Sequence, residues 1–174
     1  MRSTSFHRIL VCVLAFVANH AIAAVPPAPK LPADAYLLMD ATTGQVLVDH
    51  KGDLSLPPAS LTKIMTSYVL AEEVDAGRAS LDDMIKVSRD AWSQNPTFKG
   101  SSLMWIEPGK PVSLADLERG VVISSGNDAS VAVAEHLAGT ESSFVDVMNQ
   151  LAAELGLDNT VYRNPHGLPH PEHR

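Results

Sequence analysis

PPASLTKIMTSYVL, residues 57–70, is the stretch of this 174-residue chain on which its fold turns. The two prolines end any extended pairing before them and suit the first turn of a helix. A helix is then predicted over 60–76, with Gly77 as its stop. Leu61, Ile64, Met65 and Tyr68 recur at i, i+3, i+4 and i+7, which predicts one buried stripe. Glu72 and Glu73 read as solvated charge. At the helix start, Ser60 and Lys63 stand three apart, so their side chains stack on one face within hydrogen-bond reach. A serine hydroxyl needs a base to attack a carbonyl, and a neutral lysine amine can serve. The helix N-terminus adds N–H groups and partial positive charge where an oxyanion would develop. Ser-x-x-Lys alone is weak: 16 serines and 6 lysines give about half a match by chance.

Upstream, the runs AYLLMD (35–40) and QVLVD (45–49) flank the turn ATTG (41–44), a β-hairpin pattern. Downstream, 81–104 is mixed and loop-rich, with candidate short strands at 84–87 and 102–106. Ser113 opens a helix that runs to about Ile123. Asp116 stands three residues on, as in a capping box, and Val112 and Leu117 are placed as a hydrophobic staple. That helix stops at Ser124-Ser125-Gly126-Asn127. Further helices follow over 128–138 and 141–155, each ended by glycine, and 157–174 is turn-rich. The pattern is a hairpin and a helical block. A two-stranded hairpin is marginal alone, so its apolar faces need further strands.

Ser125-Gly126-Asn127 lies in a tight connection between two helices, where glycine permits a turn denied to other residues. Such a turn aims a hydroxyl and an amide into a cleft, although serine and asparagine also serve as ordinary caps. Ser93-Gln94-Asn95 reads the same way. It is set aside because Pro96 follows, no helix is presented and it comes only 30 residues after Lys63. His166, His170 and His173 read as a surface loop and not as a zinc site. Prolines extend the segment, and no Cys or Asp joins them. No metal and no cofactor are called for. Trp92 and Trp105 read as packing residues.

Hydrophobic residues make up 45% of the chain, enough for a packed core. Arg2, His7 and Arg8, an apolar run over 9–18 and Ala21-Ile22-Ala23 form an export-signal pattern over 1–23. Residues 24–34 read as an extended tether and 35–174 as one partial domain. The segment 1–23 holds two of the 13 basic residues and none of the 20 acidic ones, so the remainder carries net −9. That balance argues against nucleic acid as a partner. Cys12 is the only cysteine and lies in the signal, which leaves no thiol nucleophile beyond it.

The stretch 57–70, together with VSLADLERGVVISSGNDASVAVAEHLAG (112–139), resembles the low-molecular-weight penicillin-binding proteins, the serine D-alanyl-D-alanine carboxypeptidases. YLLMD (36–40) with Thr43-Gly44, and NPHGL (164–168), are also similar. The resemblance covers about 35–173. It implies an α/β (α+β) fold of the β-lactamase/transpeptidase type, an antiparallel sheet with an inserted helical block. It also implies roles. Ser60 attacks the carbonyl of the penultimate D-Ala and carries the acyl group. Lys63 takes its proton. Ser125 relays a proton to the leaving amine, and Asn127 holds the substrate amide. The implied partners are peptidoglycan stem peptides and β-lactam inhibitors. The implied location is periplasmic, with the full-length parent attached to the inner membrane in many relatives.

One departure stands out. The family's Lys-Thr-Gly is missing from a chain that stops at Arg174. The expectation is therefore a fold without its returning strands, a poorly buried Lys63, and little or no activity from this chain alone. The alternatives are a murein D,D-endopeptidase on the same fold and a truncated pseudoenzyme that binds peptidoglycan without cleaving it. A β-lactamase is disfavoured, because no Glu-bearing loop can be assigned to fast deacylation.

Overall fold

A computed structural model describes residues 27–174. The export-signal expectation over 1–23 lies outside the described residues. Backbone contacts divide the chain between Leu54 and Ser55.

In the first part, 27–34 is irregular and exposed. The hairpin follows as predicted: β1 (Tyr36–Met39) pairs antiparallel with β2 (Val46–His50), from Tyr36 opposite His50 to Met39 opposite Val46, with an irregularity between Leu38 and Met39. Asp40 builds the turn. Its Oδ1 accepts the N–H groups of Thr42 and Thr43 at 2.9 and 2.8 Å. These bonds to the charged form hold its carboxyl below the usual range. Leu37, Leu38, Met39, Val46 and Leu47 remain about half exposed.

In the second part, a 3₁₀ turn (Ala59–Leu61) leads into α1 (Thr62–Asp75). β3 (Met84–Lys86) pairs antiparallel with β4 (Pro111–Ser113), then come α2 (Leu114–Ser124), α3 (Asn127–Ala138) and α4 (Glu141–Glu154). Ser113 caps α2, its Oγ accepting from Asp116 N at 3.1 Å and donating to Asp116 Oδ2 at 2.8 Å. Leu117 is fully buried, and Val112 packs against the same cluster, so the staple forms. α3 is central: every residue from Asn127 to Ala134 is buried. A helix buried all round needs apolar or small residues on every face, and Ala129, Ala132 and Ala134 supply them. Two apolar clusters flank it. One is built on Leu70, Phe98, Leu114, Leu117 and Val131, the other on Met65, Val69, Phe144 and Met148.

Several expectations fail here, each for a physical reason. The stripe predicted on α1 is rotated. Leu61 and Ile64 are each 68% exposed and Tyr68 is also exposed, while Thr62, Lys63, Met65, Thr66 and Val69 face inward. Polar residues take the inner face because a partner segment meets them. Thr66 Oγ1 donates to Pro165 O at 2.6 Å, Lys63 Nζ donates to His166 O at 2.7 Å, and Thr62 Oγ1 meets His173 Nε2 at 3.0 Å. For the same reason His166 and His173 are buried and not in a surface loop; only His170 is exposed. Glu73 is not simply solvated, since it forms a two-pronged ion pair with Arg78. Residues 102–106 form no strand, because the N–H groups of Met104, Trp105 and Ile106 go to a side chain of α3 described below. Trp92 is partly buried, but Trp105 does not pack: its side chain is mostly in water.

Gly167 seats the 164–168 loop against the 3₁₀ turn. Its φ is +88°, and a Cβ there would lie 1.8 Å from the carbonyl oxygen of Ala59. Asn164 Oδ1 accepts the Gly167 N–H at 2.6 Å and fixes the loop from within. Leu117→Ala is expected to cost about 2–5 kcal/mol through lost transfer energy and a cavity. Ser113→Ala should cost about 1 kcal/mol through a lost cap; urea unfolding of both measures the order. Gly167→Ala is expected to lower Tm by more than Ser113→Ala, because the added methyl meets backbone that cannot step aside.

Candidate active site

Ser60 sits in the 3₁₀ turn just ahead of α1, preceded by Ala59 at φ +48°. A non-glycine residue held in the left-handed region costs about 1–3 kcal/mol. The contact between Gly167 and the Ala59 carbonyl holds this one. One helical turn on, Lys63 Nζ lies 3.4 Å from Ser60 Oγ. It also donates to Asn127 Oδ1 at 2.7 Å and to His166 O at 2.7 Å. The spacing read from the sequence therefore brings the two side chains together.

Lys63 is only 6% exposed. Burial disfavours its charged form and pushes its pKa down to about 8. The expectation that missing strands would be needed to bury this amine is thus corrected. α3 and the 164–168 loop do so within the chain. A neutral amine has two N–H groups and one lone pair. Nζ donates to all three oxygens, by short bonds to Asn127 and His166 and by a longer one to Ser60 Oγ; on losing a proton it can keep the two short bonds and turn its lone pair to the Ser60 hydroxyl.

Ser125 ends α2 in the left-handed region, φ 51° and ψ 37°. This turn aims its Oγ at Ser60 Oγ, 3.2 Å away. Gly126 fits where a Cβ would stand 3.0 Å from both Met104 N and Asp128 Oδ1. Asn127 is buried, and its own N–H donates to Ser102 O at 2.9 Å. All four residues singled out by sequence, Ser60, Lys63, Ser125 and Asn127, meet at one place. The rejected triplet does not join them: Asn95 caps a short 3₁₀ turn through Thr97 N.

Sequence reasoning missed Asp128. Its fully buried carboxylate accepts N–H groups from Met104 and Trp105 at 2.8 Å, from Ile106 at 3.1 Å and from its own helix at Ala129. It fastens 104–106 to the turn that carries Ser125 and Asn127. The visible signal was an acidic residue in the first turn of a helix, which says nothing of a distant loop. The His166 carbonyl was missed as well, since a backbone acceptor leaves no trace in side-chain identity. The His166 ring accepts Leu168 N–H at Nδ1, so Nε2 carries the proton. Burial, with Lys63 nearby, lowers its pKa to about 3, which keeps it neutral.

The cleft here, about 350 Å³, is lined by Ser60, Lys63, Ile64, Val121, Val122 and Ser125. A larger one, about 740 Å³, is lined by Asp90, Glu135, Glu141, Asp146 and Arg163. Burial raises the carboxyl pKa of both Glu135 and Glu141 there, helped by repulsion from Asp90 on both and from Glu135 on Glu141. It holds no activated nucleophile, so size does not locate the chemistry.

Comparison with known proteins agrees with this geometry. The D-alanyl-D-alanine carboxypeptidase family, peptidase S11, matches residues 21–174. The chain is 49% identical over 145 residues to D-alanyl-D-alanine carboxypeptidase DacC of Escherichia coli, covering 83% of this chain and 36% of that one. It is 46% identical over 156 residues to DacD of Salmonella typhimurium, covering 89% and 40%. Among solved structures, penicillin-binding protein 5 from Haemophilus influenzae superposes with a TM-score of 0.80 at 42% identity, covering 86% of this chain and 43% of that one. The fold is therefore of the penicillin-binding, β-lactamase-like type. The chain spans about two-fifths of the length of the curated relatives it matches. With this match over most of its length and a Ser-Lys-Ser-Asn cluster at one cleft, the chain belongs to the D-alanyl-D-alanine carboxypeptidase family, peptidase S11.

Proposed function

We propose that this chain forms the nucleophile-bearing part of a serine-type D-Ala-D-Ala carboxypeptidase that is acylated on Ser60. One observation carries the reading. Ser60 Oγ lies 3.4 Å from the buried Lys63 amine, which also donates to Asn127 and His166, and 3.2 Å from a second hydroxyl, Ser125. Ser60 Oγ attacks the carbonyl carbon of the penultimate D-Ala as its proton passes to Lys63 Nζ. The tetrahedral intermediate collapses, the C–N bond breaks, and the D-Ala amine leaves with a proton relayed from Lys63 through Ser125 Oγ. An ester to Ser60 remains. Water, deprotonated by the restored Lys63 amine, hydrolyses it to a free carboxylate and frees Ser60. Asn127, already tied to Lys63, holds the substrate amide. β-Lactams enter by the same attack, opening their ring amide to leave an ester on Ser60.

The substrate class is the pentapeptide stem of peptidoglycan, trimmed by one D-Ala. Residues 1–23 act as the export signal, 24–34 as a tether and 35–174 as part of the catalytic domain, which places the work in the periplasm. Among the described residues no helix is long and apolar enough to cross a membrane.

Mass spectrometry after incubation with a fluorescent penicillin should find one adduct, on Ser60, and none in Ser60→Ala. No adduct on a folded protein would contradict the reading. The acylation rate should rise with pH through a midpoint near 8, where the Lys63 amine loses its proton. About one Lys63 in eleven is neutral at pH 7 and about ten in eleven at pH 9, so the rate should rise about tenfold between them. A rate flat between pH 7 and 9 would count against Lys63 as base.

A further inference from the structure

Trp105 is 75% exposed and has φ +67°. Glycine adopts that conformation freely; a bulky residue does not. Such strain persists only where the surroundings over-determine it. Here they do, since the buried Asp128 carboxylate holds the N–H groups of Met104, Trp105 and Ile106. The indole does not repay the strain by packing, because most of it is in water. The chain thus holds an unfavourable backbone while presenting a large aromatic that touches little else among the described residues.

The segment so held borders the Ser60 site. Ser102 O accepts the Asn127 N–H at 2.9 Å, and Gly126 packs against Met104 N. Trp105 is therefore coupled through Asp128 to the turn that carries Ser125 and Asn127. Tryptophan offers a large, rigid apolar surface and recurs where binding energy concentrates.

We propose that Trp105 is a specificity-determining residue at the rim of this site, its indole packing against the apolar or aromatic acyl substituent of the molecule that acylates Ser60. The proposal rests on the function proposed above. Two probes differ only in that substituent: benzylpenicillin carries an aromatic acyl group, and 6-aminopenicillanic acid carries none. The experiment uses the full chain, follows the indole N–H resonances of Trp92 and Trp105 (assigned with Trp105→Phe) and measures Ser60 adducts by mass spectrometry in the same samples.

Benzylpenicillin is expected to shift the Trp105 resonance more than 6-aminopenicillanic acid does. Trp105→Gly should reduce the ratio of the two acylation rates by about three- to tenfold, the worth of one aromatic contact. Trp105→Phe should keep most of that ratio. The Tm of Trp105→Gly should hold or rise, because glycine relieves the positive φ. An unchanged ratio, or a lower Tm that marks the indole as packing, would overturn the proposal. A Ser60 adduct without a Trp105 shift overturns this proposal alone. A shift without an adduct supports the contact and counts against Ser60 as nucleophile; neither signal overturns both.

Discussion

The buried amine of Lys63 is the point on which the second part of the chain converges. It reaches α3 through Asn127 Oδ1 and the 164–168 loop through the His166 carbonyl, both at 2.7 Å. Removing an ammonium from water is expensive unless it is paired, and no carboxylate meets it among the described residues. The cheaper solution is to lower its affinity for the proton. That solution is also the useful one, since a neutral amine with both N–H groups engaged presents its lone pair to Ser60. Structure and chemistry therefore place the same demand on one atom.

Around this amine the backbone is held in costly conformations by specific contacts. Ala59, Ser125 and Trp105 all have positive φ, and none is glycine. Gly167 lies against the first, so close that a Cβ there would overlap the Ala59 carbonyl. Asp128 locks the third through backbone hydrogen bonds and braces the turn that carries the second. Strain gathered beside a nucleophile and held from outside is what pre-organisation requires. A hydroxyl held 3.2 Å from Ser60 before substrate arrives costs little further ordering when it does.

Much of this was legible in the sequence, because it rested on local rules. Ser-x-x-Lys at a helix start, the Ser113 cap with its staple, and the glycines after α3 and α4 are all short-range signals, and each element formed within a residue or two of its expected place. The hairpin was legible from its turn residues. What failed was non-local. A count of apolar residues on α1 placed Leu61 and Ile64 inside. The inner face is instead polar at Thr62, Lys63 and Thr66, because a loop a hundred residues away brings backbone carbonyls and a histidine to meet them. The same contact buries His166 and His173, which proline content had placed at the surface. The candidate strand at 102–106 failed because its hydrogen-bonding partner is a carboxylate on α3. Side-chain pattern does not reveal that a strand's partner is an aspartate.

The central claim is that this fold lowers the pKa of Lys63 from the ordinary lysine value to about 8. The most direct measurement is an NMR titration of the lysine side-chain Cε resonances, with Lys63 assigned by Lys63→Arg. The account predicts that one of the six lysines titrates near pH 8, and that it is the one lost in the variant. A Lys63 midpoint near 10.4, the ordinary lysine value, would contradict it, because the amine beside Ser60 would then be a cation and not a base.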